Sequence, residues 1–116
     1  QRTLDLSLDL CTMAWNGYAA MALPGSGLYR TAREKGYQLP DNYSGYSFYA
    51  YDTLPLPTEE LSPSDILEFR DQAFMSYHTH PLFLEKIRRR FGPVAVENIE
   101  ELTTVKLRRR LLGHSK

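Results

Sequence analysis

The sequence predicts a mainly helical α/β domain, and three observations carry that expectation. Ala14–Tyr29 runs without a charge through small and apolar residues and then breaks at Pro24-Gly25-Ser26, which reads as a buried strand near Asn16–Ala22 feeding a helix. From Ser62 onward, apolar residues recur at helical spacing through three successive segments. Between them, Tyr37–Glu60 is punctuated by Leu-Pro-Asp-Asn, Ser-Gly-Tyr-Ser and Leu-Pro-Leu-Pro-Thr, which are turn and extended signals. The organisation expected is therefore residues 1–36, a linking loop over 37–61 and a helical region over 62–116.

Leu4, Leu6, Leu8 and Leu10 alternate with polar residues, as in a half-buried strand, yet they also form i, i+4 pairs. Leucine-rich composition without β-branching tips the balance toward a helix ending near Cys11. After the strand, Ser26 caps a helix from about Gly27 to Lys35, with Leu28, Ala32 and Tyr29 inward and Gly36 as its stop. Ser62-Pro63-Ser64-Asp65 starts the next helix, with Ile66, Phe69, Ala73 and Tyr77 as its apolar stripe and Phe74 beside it. Thr79 or His80-Pro81 opens another, with Phe83, Leu84, Ile87 and Phe91 inward. Gly92-Pro93 ends it and begins the last helix, whose core face is Val96, Ile99, Leu102 and Val105 and whose stop is Gly113.

With 116 residues, 42% hydrophobic and 24% charged, the chain has the profile of one soluble domain with a modest core. No apolar run approaches the roughly 20 residues that span a bilayer, and nothing resembles a secretory leader, so no membrane partner is expected and the cytoplasm is the default compartment. Gln1 is not an initiator methionine and the leucine pattern begins in mid-run, which suggests a fragment. A single cysteine, Cys11, excludes an intrachain disulfide and any metal site built on several thiolates of this chain. The net charge of zero hides an asymmetry: residues 1–61 carry 4 basic and 7 acidic side chains, residues 62–116 carry 10 and 7.

Several candidate sites follow from residue chemistry. Pro24–Gly27 sits where α/β folds place ligands, beyond a strand's carboxyl end, and glycines 25 and 27 permit positive φ and close backbone approach; the plain alternative is a tight strand-to-helix turn. Tyr43, Tyr46, Phe48, Tyr49 and Tyr51 either line a pocket or pin a long loop to the surface it covers. Arg88–Arg90 and Arg108–Arg110 are explained by helix C-termini, where cations complement the macrodipole; the missing interleaved aromatics and modest basic excess argue against nucleic acid. His78, His80 and His114 lack an acidic cluster at ligand spacing, and capping and exposure account for them. No nucleophile elbow, phosphate loop or paired-carboxylate pattern is present.

The series Asn16-x-Tyr18-x-Ala20-Met21-Ala22-x-Pro24-Gly25-Ser26-x-Leu28-Tyr29, then Gly36-Tyr37-x-Leu39-Pro40 and Tyr43-x-Gly45-Tyr46-Ser47, resembles the closing part of radical S-adenosylmethionine enzymes, in particular those with an N-terminal cobalamin-binding domain. Leu54-Pro-Leu-Pro-Thr58, Phe69-Arg70-Asp71-x-Ala73-Phe74, Tyr77-x3-Pro81-x-Phe83-Leu84 and Lys106-Leu107-x-Arg109-x-Leu111-Leu112 resemble that group's C-terminal extension, so the likeness covers nearly the whole chain. It implies that residues 1–36 are the last helix, strand and helix of a partial (β/α) barrel, followed by a tyrosine-rich loop and a three-helix extension. It implies a parent enzyme in which a reduced four-iron four-sulfur cluster cleaves S-adenosylmethionine to a 5′-deoxyadenosyl radical or, with cobalamin, supports methyl transfer or rearrangement. Asn16, Tyr18, Pro24, Gly25 and Ser26 would then lie on the S-adenosylmethionine or substrate side, with Tyr43 and Tyr46 as a lid.

The departure from the family is equally specific. Its cluster needs Cys-x3-Cys-x2-Cys, and the glycine-rich strands that hold S-adenosylmethionine are likewise missing here, so this chain is not catalytic alone and has no metal ligands or catalytic residues of its own. The partners implied are the rest of its own chain, barrel and cobalamin-binding domain, and a small-molecule substrate. An unpaired edge at Asn16–Ala22 would favour weak self-association or a mobile N-terminal region. The rival reading is a non-catalytic helical interaction module that holds a partner through Arg88–Arg90 or the tyrosine loop.

Overall fold

The computed structural model describes all residues, 1–116. Five helices are present: α1 (Arg2–Leu10), α2 (Gly27–Glu34), α3 (Pro63–His78), α4 (Pro81–Phe91) and α5 (Pro93–Thr104), with short 3-10 turns at Tyr43–Tyr46 and Arg110–Leu112. The chain is mainly helical and contains no strand. No helix is long and apolar enough to cross a membrane.

Local chemistry accounts for the helix starts. Ser26 Oγ accepts the Tyr29 amide at 3.1 Å and caps α2. At α3, the Asp65 amide donates to Ser62 Oγ at 3.2 Å while the Ser62 amide donates to Asp65 Oδ2 at 2.9 Å, a reciprocal capping box. Prolines begin α4 and α5, where their missing N–H costs no intrahelical bond.

The expected strand at Asn16–Ala22 does not form. The stretch has no helical or turn structure, and the Leu56 amide donates to the Ala20 carbonyl at 2.9 Å. A ladder does not propagate from that bond, because the next amides on the same side of the segment, those of Leu54 and Thr58, donate elsewhere, to the Gly45 and Leu61 carbonyls, each at 3.0 Å.

α5 also ends earlier than expected, at Thr104 and not at Gly113. Thr103, Thr104 and Val105 are β-branched, and the two threonine hydroxyls turn back onto the Glu100 and Glu101 carbonyls at 2.9 and 2.7 Å. Residues 105–109 leave the helix, so Arg108–Arg110 is not a helix C-terminal cluster. Arg88–Arg90, by contrast, does occupy the last turn of α4.

Two compact units divide the residues: 1–17 with 71–106, and 18–70 with 107–116. In the first, Leu4, Ala73, Tyr77, Phe83, Ile87 and Val96 form the core, with Leu8, Trp15, Leu84 and Ile99 packed around them. Tyr77 has no exposed surface; its ring lies 5.1 Å from Phe83 and 6.3 Å from Trp15, and its hydroxyl donates to the Thr12 carbonyl at 2.8 Å. Cys11 ends α1 in the left-handed region, φ 45°, and Lys86 Nζ donates to its carbonyl, giving α1 the C-terminal cation its own last turn lacks.

The second unit is built on Ala22, Ala32 and Leu56, with Tyr29, Tyr37 and Leu39 against them. Leu67 and Arg70 from the first half of α3 are also buried here, so the α3 stripe is Leu67, Arg70, Ala73, Tyr77 rather than one running through Ile66 and Phe69. Phe69, Leu28, Phe91, Leu102 and Val105, all expected inward, are exposed, Phe91 by 60%.

Truncating Phe83 to Ala should cost about 3–5 kcal/mol. Tyr77→Phe, which keeps the ring and removes the bond to Thr12, should cost about 1 kcal/mol. Urea unfolding of the two variants at neutral pH measures both values.

Candidate functional site

The residues singled out from sequence fall mostly in the unit formed by 18–70 and 107–116. Pro24-Gly25 forms the turn that enters α2: the Ser26 amide donates to the Leu23 carbonyl at 3.0 Å, and Gly25 takes φ 86°. Gly25 is thus the glycine this turn requires, whereas Gly27 is simply the first residue of α2. Ser26 spends its hydroxyl on capping, so the chemistry of this turn is first of all structural. Tyr18 is 63% exposed, and its ring packs on Phe48 at 4.8 Å, bringing the segment after residue 17 to the tyrosine loop. Asn16 belongs to the other unit and is exposed.

The loop is ordered by its own polar groups. Asn42 Oδ1 accepts the Gly45 amide at 3.3 Å and the Ser44 hydroxyl, and Ser44 also donates to Asp52. The Leu54 amide donates to the Gly45 carbonyl at 3.0 Å. A Cβ on Gly45 would stand 2.4 Å from the Pro40 Cβ, so only glycine allows the loop to close on Pro40. Within this frame Tyr43 is 84% exposed and Tyr46 half-buried. Burial pushes the Tyr46 phenol up from its ordinary value, and the neighbouring Tyr29 and Tyr43 phenols push the same way. Tyr43 and Tyr46, expected to act together, begin and end the same 3-10 turn.

The anchoring of this loop was not visible in the sequence. Arg109 is fully buried; its Nη1 donates to the Ala50 carbonyl at 3.0 Å, and its amide donates to His114 Nδ1 at 3.0 Å. The next amide, of Arg110, donates to the Tyr51 carbonyl at 2.8 Å, and the Tyr51 hydroxyl to the His114 carbonyl at 2.8 Å. Arg70 lies over the Tyr49 ring at 5.4 Å. Tyr51 is thus held through Arg110 and His114, while Tyr49 stays exposed with Arg70 over its ring.

A second concavity, of about 330 Å³, lies beside α2 between Ala20, Leu28, Ala32, Lys35, Tyr37 and Leu56. Its one cation, Lys35, sits 5.9 Å above the Tyr37 ring at the rim. The only sequence signal for it is the spacing of Thr31 and Lys35, one turn apart on α2.

Other candidates resolve differently. His78 is buried and not exposed: Nδ1 pairs with the Phe74 carbonyl at 2.8 Å, and the ring lies among Phe74, Tyr77 and Phe83. His80 begins α4 without a side-chain cap bond, and its Nδ1 is buried without a partner. No group of three or more His, Cys, Asp or Glu side chains is placed to hold a metal ion. Cys11, the one thiol, is half-buried at the end of α1. A four-iron four-sulfur cluster does not fit these residues, since it needs at least three thiolates converging on one point.

The Asp52 carboxyl is held below its ordinary 3.8, chiefly by the Ser44 hydroxyl and further by Asn42 and Arg110. Asp65 is lowered by Ser62. Both depressions stabilise the fold above the ordinary carboxylate pKa, and that contribution fades as pH falls through the depressed values. Thermal melts as a function of pH should show stability declining below about pH 4 in the wild type and a shallower decline in Asp52→Asn. Gly45→Ala should unfold the loop, read as loss of the Tyr18–Phe48 contact by nuclear Overhauser effects.

No protein-family model, no curated protein and no solved structure matches this chain.

Proposed function

We propose that this chain is the C-terminal part of a radical S-adenosylmethionine iron–sulfur enzyme of the cobalamin-binding group, contributing a barrel edge and a lid and not the redox centre. The reading rests on the order and spacing of the motifs from Asn16 to Leu112. The observation that supports it is the succession of α1, a non-helical stretch over Asn16–Ala22 and α2, closed by the Pro24–Ser26 turn. In this reading a preceding strand of the same protein pairs with the stretch, which forms no ladder within this chain.

Asn16 and Tyr18 then lie along the last barrel strand, and Pro24, Gly25 and Ser26 at its carboxyl end face S-adenosylmethionine or the substrate. Tyr43 and Tyr46, adjacent to Tyr29 of α2, close the barrel mouth and keep water from the reacting carbon. The cluster thiolates, the glycine-rich strands for S-adenosylmethionine and any cobalamin site belong to other parts of the protein. Such an enzyme works in the cytoplasm on a small-molecule substrate. The second reading, a helical interaction module without chemistry, is favoured by a cation-lined groove along α4.

Anaerobic reconstitution of the complete natural protein should give about four irons and four sulfides per chain. A protein free of iron and sulfide would overturn the enzyme reading. In the reconstituted enzyme, Tyr46→Ala should uncouple S-adenosylmethionine cleavage from product formation by several-fold, and Tyr46→Phe by less. Unchanged coupling in both variants would remove the lid.

A further inference from the structure

The unit formed by residues 1–17 and 71–106 carries an apolar band that nothing in the chain covers. α1 has two apolar faces. Leu4 and Leu8 are packed into the core, while Leu6 and Leu10, about 160° away around the helix, are 58% and 64% exposed. Asp5 and Asp9 are the acidic residues of α1, exposed beside the bare leucines.

Where α1 ends, the bond from Lys86 to the Cys11 carbonyl brings α4 alongside. There Met13, Leu82 and Phe91 line an open groove of about 820 Å³, together with Lys86, Arg89 and Arg90. Leu82, Lys86, Arg89 and Arg90 recur at i, i+4, i+7 and i+8 and share one face of α4. Glu85 is the one acid at the groove, paired with Arg89 at 2.7 Å, so the groove as a whole is positive.

We propose that this band is a homodimer interface, in which α1 of each copy lies in the α4 groove of the other. Two properties make the band self-complementary, as a two-fold interface demands. Its apolar residues run from Leu6 and Leu10 through Met13 to Leu82 and Phe91, and its charge reverses from acidic at α1 to basic at α4. A floor of Met, Leu and Phe between cations fits an amphipathic helix with carboxylates beside its leucines, and α1 is such a helix. A single-stranded nucleic acid needs successive stacking rings, and Phe91 is the one aromatic there. The interface goes beyond the enzymatic reading and does not rest on it; the two compete for the Leu6 and Leu10 face of α1, which that reading, by making α1 a barrel helix, would set against barrel strands.

Sedimentation velocity of the 116-residue chain between about 5 and 500 μM tests the interface directly. The wild type should show a reversible monomer–dimer equilibrium in this range. Arg90→Glu and Asp9→Lys should each weaken it about tenfold. The double variant, which restores opposite charges across the two-fold, should recover most of the loss, and that recovery also shows that the variants fold. Leu6→Glu should leave only monomer, with an unchanged far-UV circular dichroism spectrum. A wild type that stays monomeric overturns the proposal, whether or not it then binds phosphatidylglycerol vesicles or an oligonucleotide. So does a dimer insensitive to all three single substitutions, or a double variant no tighter than the single ones.

Discussion

The unit that carries α1, α4 and α5 depends on how Tyr77 is buried. Its ring fills the centre of the core against Phe83 and Trp15, and its hydroxyl cannot be left there without a partner. The partner is the Thr12 carbonyl, just past the end of α1, with the Thr12 hydroxyl 3.2 Å away as well. One side chain therefore sets both the aromatic packing and the direction in which the chain leaves α1. Lys86 adds a second hold on the same corner through the Cys11 carbonyl. With Leu4 and Leu8 committed inward by these two ties, Leu6 and Leu10 have to face outward.

The other unit solves a different problem, because its largest apolar cluster is two alanines and a leucine with three partly buried side chains around them, and its other buried apolar residues, Met21, Pro55 and Leu67, lie outside that cluster. So small a core leaves much of the ordering to polar groups and rings. Arg109 carries the largest share: a buried guanidinium must find acceptors, and it finds the Ala50 carbonyl. The Tyr51–His114 and Arg110–Tyr51 bonds run beside it, and Asn42, Ser44 and Asp52 tie the far side of the loop. The tyrosine loop is thus a built element and not a passive linker.

These two modes of assembly bear on function in different ways. The ordered loop and the glycine turn at Gly25 are closed by bonds within their own unit. The band from α1 to α4 is of another kind, since its apolar and charged residues answer one another within the same unit.

Helix starts were legible in the sequence because they are set by chemistry within three or four residues. Ser26, Ser62, Pro81 and Pro93 each begin the helix expected of them, and so does the mainly helical character that follows. The tyrosine loop was legible as a special segment from its aromatic density, and the Pro24–Ser26 turn from its glycine. What failed were statements that need a distant partner. An apolar run at Asn16–Ala22 says that a strand is possible, but a strand exists only where another segment offers a ladder, and the Leu54 and Thr58 amides on either side of Leu56 bond to the Gly45 and Leu61 carbonyls instead. An arginine triplet at 108–110 reads as a helix C-terminal cluster, and contacts such as that with the Ala50 carbonyl, 59 residues away in sequence, take Arg109 inside. Local capping and turn geometry were thus determined by the sequence itself. Which apolar faces are covered, which charges are buried and which backbone edges are paired were decided by tertiary structure, because each depends on contacts between residues far apart in the chain.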